Sequence, residues 1–171
     1  PTSPIYKGTV VRARVFKAGS LPSEIVTHTY FFTPNGQKKY TLPIVSITSP
    51  EKGLFGYYDG IYVAGADFDN WRASHPTEQF TEGGDANYKR TGDPAERPGH
   101  FELFENNGTK YSQNIGIRMH GGFSRSFRFK SMRIYSRGKY GSNEFGYKIF
   151  PNLPYTSYQT FILRNSGNDY Q

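Results

Sequence analysis

The chain has 171 residues, which is enough for one domain with a hydrophobic core, or for one domain and part of another. Its 14 Tyr and 14 Phe residues favour a mostly β fold, α+β at most, and the absence of cysteine excludes disulfides, zinc-thiolate sites and thiol catalysis. The formal net charge of +7 points to an anionic partner, and no apolar run approaches the ~20 residues that a membrane-spanning helix needs.

Residues 1–36 contain two predicted strands joined by a turn at residues 17–22. Two strands alone are only marginally stable. The residues that carry a recognisable pattern are Gly8-Thr9-Val10, Arg12-Ala13, Phe16, Gly19, Pro22-Ser23, Thr27 and Tyr30. The pattern resembles the last strands of the immunoglobulin-like repeats of bacterial surface proteins and chitobiases. The resemblance implies that residues 1–36 close a β-sandwich that begins upstream.

A polar linker at residues 33–41, which contains an Asn-Gly turn, marks the predicted boundary between residues 1–36 and a second domain, residues 37–171. The second domain is predicted to begin with an apolar strand at residues 42–48. A turn and another strand are predicted within residues 54–63.

Residues 64–98 show no periodicity and are predicted to form a long, mobile loop. Between Asp59 and Glu105 the chain has ten acidic and four basic residues, a net charge of −6. We expect this acidic segment to fold back over the basic stretch that follows it and to screen its charge.

Three further strands are predicted from alternating apolar residues at 100–105, 111–119 and 160–164. The first two flank Asn106-Asn107-Gly108, which is a strong hairpin-turn signal. The predicted fold is therefore an antiparallel, strand-rich unit.

The stretch Asn114 to Arg137 combines two predicted strands with a turn rich in Gly and Ser. Ile115, Ile117 and Met119 alternate with polar residues before Gly121 and Gly122 interrupt the first strand. A second strand is predicted to begin with Phe127 and Phe129, whose side chains would fill its apolar face. The apolar phase then slips by one residue, which predicts a β-bulge near Ser131.

The positive charge of the chain is concentrated in residues 118–148. This segment has eight Lys or Arg residues and one acid, Glu144, so it accounts for the whole net charge of +7. Such a local positive field indicates phosphate, nucleic acid or an acidic surface as the partner. The alternative is a solvated strand face whose charges only prevent edge-to-edge pairing.

From residue 42 onward the chain carries a set of motifs in a familiar order. They are Leu42-Pro43-Ile44-Val45-Ser46-Ile47, Gly60-Ile61-Tyr62-Val63, the strand His100 to Glu105, Gly116-Ile117-Arg118-Met119-His120-Gly121-Gly122, Ser124-Arg125-Ser126, Lys130-Ser131-Met132-Arg133 and Leu163-Arg164-Asn165-Ser166-Gly167-Asn168-Asp169. This order resembles the CotH family of bacterial and fungal spore-coat proteins, which are regarded as atypical secreted kinases.

The CotH resemblance implies that residues 37–171 form the strand-rich N-terminal lobe of a kinase-like domain, secreted or at the bacterial cell surface. ATP and Mg²⁺ are expected for the full-length family member, with a secreted or coat protein as the phosphoacceptor. The acidic residues that hold Mg²⁺ and orient the acceptor belong to a later lobe. The chain is therefore expected to be inactive by itself.

The residues predicted to contact nucleotide phosphates are Gly121, Gly122, Ser124, Arg125, Ser126 and Lys130. Glycine-rich backbone, hydroxyls, a guanidinium and an ammonium are groups suited to an anion. Arg133 is predicted to form a supporting ion pair with Asp169. Catalytic residues are not assigned.

Two other functions remain open from the sequence. A non-catalytic surface module could bind carbohydrate, with Trp71 or the pair Tyr57 and Tyr58 as stacking platforms. Nucleic acid could bind the basic strands, although no known RNA- or DNA-binding module is recognisable. No metal site is predicted from the four scattered histidines.

Overall fold

The computed structural model describes residues 8–32, 40–81 and 84–166. These residues form seven strands in two antiparallel sheets with few helices, which confirms the predicted mostly β class. Backbone contacts divide the chain into two compact units, residues 1–48 with 100–113 and residues 49–99 with 114–171. No helix in the described part of the chain has the length and apolar character needed to cross a membrane.

The first unit contains the predicted N-terminal hairpin. Strands β1 (Gly8–Ala13) and β2 (Val26–Phe31) pair antiparallel, and the backbone turns at residues 18–20 as predicted. The buried Thr29 donates its backbone N–H to Glu102 Oε1 at 3.1 Å, and its hydroxyl donates to Glu102 Oε2. The predicted linker falls mainly on residues 33–39, which lie outside the described residues, and the domain boundary stays a prediction.

The apolar strand predicted at residues 42–48 is present as β3 (Ile44–Thr48). It pairs antiparallel with β4 (Arg97–Phe104), and Ile44 lies opposite Phe104. Strands β5 (Lys110–His120), β6 (Ser131–Tyr135) and β7 (Thr160–Leu163) complete a sheet with the order β3-β4-β5-β6-β7.

Two helices replace the strand and the loop that the sequence predicts between residues 51 and 98. Helix α1 spans Glu51–Phe55, α2 spans Gly65–Ser74, and two short 3-10 turns follow at Asn87–Lys89 and Asp93–Ala95. No strand occurs in the described residues 54–63, so the strand predicted there is wrong. The prediction that residues 64–98 form a structureless loop is also wrong, because α2 and the two 3-10 turns lie there.

Long-range contacts explain why helix α2 leaves no periodic pattern in the sequence. The fully buried Asn87 accepts a hydrogen bond from the backbone N–H of Asp67 at 3.0 Å and donates to the carbonyl of Tyr57 at 2.8 Å. Gly65 begins the helix with φ +59°, where a Cβ atom would lie 2.1 Å from the Asn87 amide nitrogen. The first turn of α2 is thus fixed by one distant side chain, and only Ala66 of this helix is buried.

The register of β5 and β6 separates a core face from a polar face. Ile117 lies opposite Ile134 and Met119 opposite Met132, and these four side chains include the fully buried Ile117 and Ile134. On the other face the pairs are Gly116 with Tyr135, Arg118 with Arg133 and His120 with Ser131. The candidate site described below is built on this second face.

The second strand of the central stretch begins later than predicted. Residues 123–126 form a 3-10 turn, residues 127–130 are irregular, and β6 starts at Ser131. The Tyr62 hydroxyl accepts a hydrogen bond from the Lys130 backbone N–H and donates one to the Arg128 carbonyl, both at 3.2 Å. The backbone of residues 128–130 is therefore hydrogen-bonded to a side chain. The phase slip near Ser131 marks the start of β6, whose pairing with β5 is regular from Ser131 to Tyr135, so the predicted β-bulge is wrong. Phe129 is 69% exposed, so the prediction that its side chain fills an apolar face is also wrong.

Candidate anion-binding site

The turn between β5 and β6 has the conformation of a glycine-dependent loop. Gly121 has φ +115°, and a Cβ atom at this position would lie 2.3 Å from Ser124 Oγ. Ser126 donates its hydroxyl to the carbonyl of Phe123 at 2.7 Å, which closes the 3-10 turn. An L side chain at position 121 would therefore be strained by its φ angle and would also displace Ser124.

A pocket of about 250 Å³ lies beside this turn, within the second unit. Its lining includes four arginines and a histidine. The residues that define it are Arg90, Arg118, His120, Gly121, Arg125 and Arg133. We refer to it as the arginine pocket.

Two of the four arginines in the pocket are neutralised by carboxylates. Arg90 makes a two-pronged contact with Asp67, at 2.7 Å to Oδ2 and 2.8 Å to Oδ1. Arg118 donates from Nε and Nη2 to Glu96 Oε2 at 2.9 and 2.8 Å. Such bidentate pairs fix the orientation of both guanidinium groups.

The other two arginines have no carboxylate partner in the ranges that the structure describes. Arg125 donates from Nη1 to the carbonyl of Lys89 at 2.8 Å, and burial lowers its pKa. The Nε of Arg133 is buried and finds no hydrogen-bond acceptor among the described residues. Buried donors of this kind usually have a partner, so the absence of one here calls for an explanation.

His120 lies in the same pocket, close to the positive charges of Arg133 and Arg125. Its pKa is lowered, first by burial and then by the positive charges of Arg133 and Arg125. The imidazole is therefore neutral at physiological pH and can offer one N–H donor to a ligand.

The strand register adds to the positive charge of the pocket. Arg118 and Arg133 lie directly opposite each other on β5 and β6, an arrangement that is destabilising for like charges. Glu96 compensates Arg118, whereas Arg125 and Arg133 have no carboxylate partner among the described residues. An anion in the pocket would relieve this repulsion and would accept the unsatisfied Arg133 donor.

Lys130, one of the predicted phosphate ligands, does not line the arginine pocket. Its ammonium donates to the carbonyl of Phe127 at 2.5 Å and lies 4.4 Å from the centre of the Tyr88 ring and 5.2 Å from that of Tyr62. Burial lowers its pKa. In this structure Lys130 holds the backbone of the turn, and its role as a phosphate ligand stays a prediction.

A second group of basic residues surrounds one buried carboxylate, Glu96, whose side chain is fully buried. Besides Arg118, this carboxylate accepts hydrogen bonds from Arg137 at 3.1 Å, Lys139 at 2.9 Å and the Tyr140 hydroxyl at 3.0 Å. Burial alone would raise the pKa of Glu96, but the hydrogen bonds from Lys139, Tyr140 and Arg118 and the charge of Arg137 lower it. We call this group the Glu96 cluster.

The Glu96 cluster shows where part of the acidic segment lies. Asp93 also contacts Arg118, and it lies 3.8 Å from Arg137, so two acids of the segment neutralise bases of the central stretch. The close fit requires Gly116, because a Cβ atom there would lie 2.7 Å from both Glu96 Oε1 and the Tyr140 ring.

The structure brings together some of the predicted site residues and separates others. Gly121 and Arg125 line the arginine pocket, and Gly122, Arg125 and Ser126 line a neighbouring cavity. Arg133, which was predicted to form a supporting ion pair, also lines the pocket, and that ion pair stays a prediction. Asp169, its predicted partner, lies outside the described residues.

Sequence reasoning did not assign a site role to Arg90, His120 or Glu96. The period-2 alternation of β5 already places His120 on the same face as Arg118, and this signal could have identified it. Arg90 and Glu96 follow stretches without periodicity, so the sequence contains no comparable signal for them.

The aromatic residues predicted to stack on carbohydrate do not share a common plane. Trp71 packs against His75 with ring centres 5.0 Å apart, and its ring also meets Phe80 edge-on. Tyr57 and Tyr58 are exposed, but their rings are inclined by 79° to each other. These residues do not form one flat surface, and carbohydrate binding stays an untested prediction.

Comparison with protein-family models, curated proteins and solved structures found no match. The likeness to the CotH family therefore depends on the sequence motifs alone.

Proposed function

We propose that this chain binds the phosphate groups of a nucleotide in the arginine pocket, as the phosphate-binding part of a CotH-like secreted kinase. One observation carries the proposal. Arg125 and Arg133 converge on a pocket beside a glycine-dependent turn without a carboxylate partner in the described ranges, and the buried Nε of Arg133 has no acceptor there.

The chemistry of the pocket favours a phosphate over a neutral ligand. Guanidinium groups bind phosphate oxygens through paired, charge-assisted hydrogen bonds, and the low polarity around a partly buried pair strengthens them. Arg90 and Arg118 are held in place by Asp67 and Glu96, so the wall of the pocket is ordered before a ligand arrives. Preorganised donors of this kind lose little entropy on binding.

Phosphoryl transfer to a protein hydroxyl is the reaction that the CotH resemblance implies. The described residues contain no group of three His, Asp or Glu side chains that could hold Mg²⁺, and no step is assigned to the metal here. Incorporation of radiolabelled phosphate from ATP, measured on the protein with its natural flanking sequences, tests this part of the proposal.

Isothermal titration calorimetry with ATP tests the phosphate site itself. We expect Arg133→Met and Arg125→Met each to weaken ATP binding by about tenfold or more, because each removes a charge-assisted contact. Arg128→Met is the matched control, since Arg128 belongs to the same stretch but does not line the pocket. Equal loss of affinity in all three variants would show only a general effect of charge.

Lys130→Met distinguishes two roles of the lysine. If Lys130 only anchors the turn through the Phe127 carbonyl, ATP affinity should fall by less than it does in Arg133→Met. A loss as large as that of Arg133→Met, with an unchanged melting temperature, would indicate the direct phosphate contact predicted from the sequence.

A further inference from the structure

A second cavity of about 350 Å³ adjoins the arginine pocket within the second unit. The two share Arg125, which lines both. The remaining residues that matter for its character are Phe80, Lys89, Gly122, Phe123 and Ser126. We call it the phenylalanine cavity.

The two cavities differ in chemistry. The arginine pocket has four arginines and no phenylalanine in its lining, whereas the phenylalanine cavity has two phenylalanines beside Gly122 and Ser126, with Lys89 and the shared Arg125 as its basic residues. Its volume falls within the range of about 300 to 1,000 Å³ that is usual for small-molecule sites. A ligand that reached both cavities would need an anionic end and a less polar end.

The aromatic rings are held in position by their neighbours. Phe80 meets the rings of Phe68 and Trp71 edge-on, with ring centres 5.1 Å apart in both pairs. Phe123 is 53% exposed and meets Phe127 edge-on at 5.5 Å. Each ring therefore has an anchored side, and Phe123 keeps accessible surface for a ligand.

We propose that the phenylalanine cavity binds the planar ring of a phosphate-bearing ligand, the base of a nucleotide, while its phosphates occupy the arginine pocket. This inference rests on the proposed phosphate site. Planar bases stack on phenylalanine rings and on arginine guanidinium planes, and both groups are present here. Arg125, which lines both cavities, is placed to contact the two ends of one molecule.

The test compares ATP with inorganic triphosphate, which has the same phosphate chain and no base. Calorimetric titration of the whole chain should show ATP binding about tenfold more tightly than triphosphate. In Phe123→Ala, ATP affinity should fall to nearly that of triphosphate, and triphosphate affinity should stay within about twofold of the original. Phe123→Trp, which keeps a ring, should retain the preference for ATP.

Phe129→Ala is the matched control. Phe129 is an exposed phenylalanine of the same stretch, and it does not line the cavity. An unchanged ratio of ATP to triphosphate affinity in Phe123→Ala would overturn the assignment of the base, while leaving the phosphate site intact. Failure of both ligands to bind the unmodified chain would overturn the phosphate site and the base site together.

Discussion

The Glu96 cluster and the arginine pocket are both rich in basic residues, but these residues differ in whether they are paired with a carboxylate. In the cluster, Arg118, Arg137 and Lys139 converge on one fully buried carboxylate. In the pocket, Arg125 and Arg133 converge without a carboxylate among the residues that the structure describes. The same excess of charge thus serves the stability of the fold in one place and is available to a ligand in the other.

This difference shows that a count of positive charges does not locate a binding site. Three of the eight basic residues between positions 118 and 148 bond to Glu96, an acid that lies outside that segment. What distinguishes the pocket is the unsatisfied donor of Arg133. The partner of each cation, and not the cation itself, distinguishes the Glu96 cluster from the pocket that we propose as a phosphate site.

The largest expected effect is on the Glu96 cluster. Glu96→Gln should reduce the free energy of unfolding by about 3 kcal/mol, because it leaves the largely buried Arg118 and the more exposed Arg137 and Lys139 without their counter-charge. Urea denaturation followed by tryptophan fluorescence measures this loss. A loss below 1 kcal/mol would mean that the cluster contributes little to stability.

Gly116→Ala should have the next largest effect. The new methyl group would lie 2.7 Å from Glu96 Oε1 and from the Tyr140 ring, so both must move. We expect a loss of about 1 to 3 kcal/mol, as is usual for overpacking. Gly146→Ala is the matched control, because nothing lies within 4 Å of its position and little change is expected there.

The pH dependence of stability should report the same cluster. The folded state lowers the pKa of Glu96, so its stabilising contribution is complete above the unfolded value of about 4.3 and is lost as the pH falls through the folded value. The difference in unfolding free energy between the unmodified chain and Glu96→Gln should therefore shrink in strong acid. A difference that stays constant down to pH 2 would show that another group is responsible.

The smallest expected effect on stability belongs to Arg133→Met. Removing a half-buried cation that has no described acid relieves repulsion from Arg118, so the free energy of unfolding should change by less than about 1 kcal/mol or should rise. A clear loss of stability would indicate that Arg133 pairs with an acid, as was predicted for Asp169.

The strands were the part of the fold that the sequence predicted best. Strand β5 was predicted from the alternation of Ile115, Ile117 and Met119, because the apolar residues of this strand are the ones on its buried face. The Asn-Asn-Gly turn predicted where β4 ends and β5 begins. Helix α2 was missed because its start depends on Asn87, some twenty residues away, and a distant side chain leaves no periodic signal.

The candidate site was predicted in part. The Gly-Ser-Arg turn and Arg125 were identified from residue types that suit an anion, and they line the two cavities. The arginine pocket also needs Arg90, which is set by the fold of residues 84–98, and Arg133, which β6 places opposite Arg118. Lys130 was singled out for the same reason as Arg125, but the side chains of Tyr62 and Tyr88 cover its ammonium.

The most direct test of the arginine pocket is a crystal structure of the protein grown with tungstate, a phosphate analogue that is located by anomalous scattering. We predict a single strong peak within hydrogen-bond distance of the Arg125 and Arg133 guanidinium groups, and its loss in Arg133→Met crystals. A peak at the Glu96 cluster, or no peak near Arg133, would contradict the assignment of the pocket as a phosphate site.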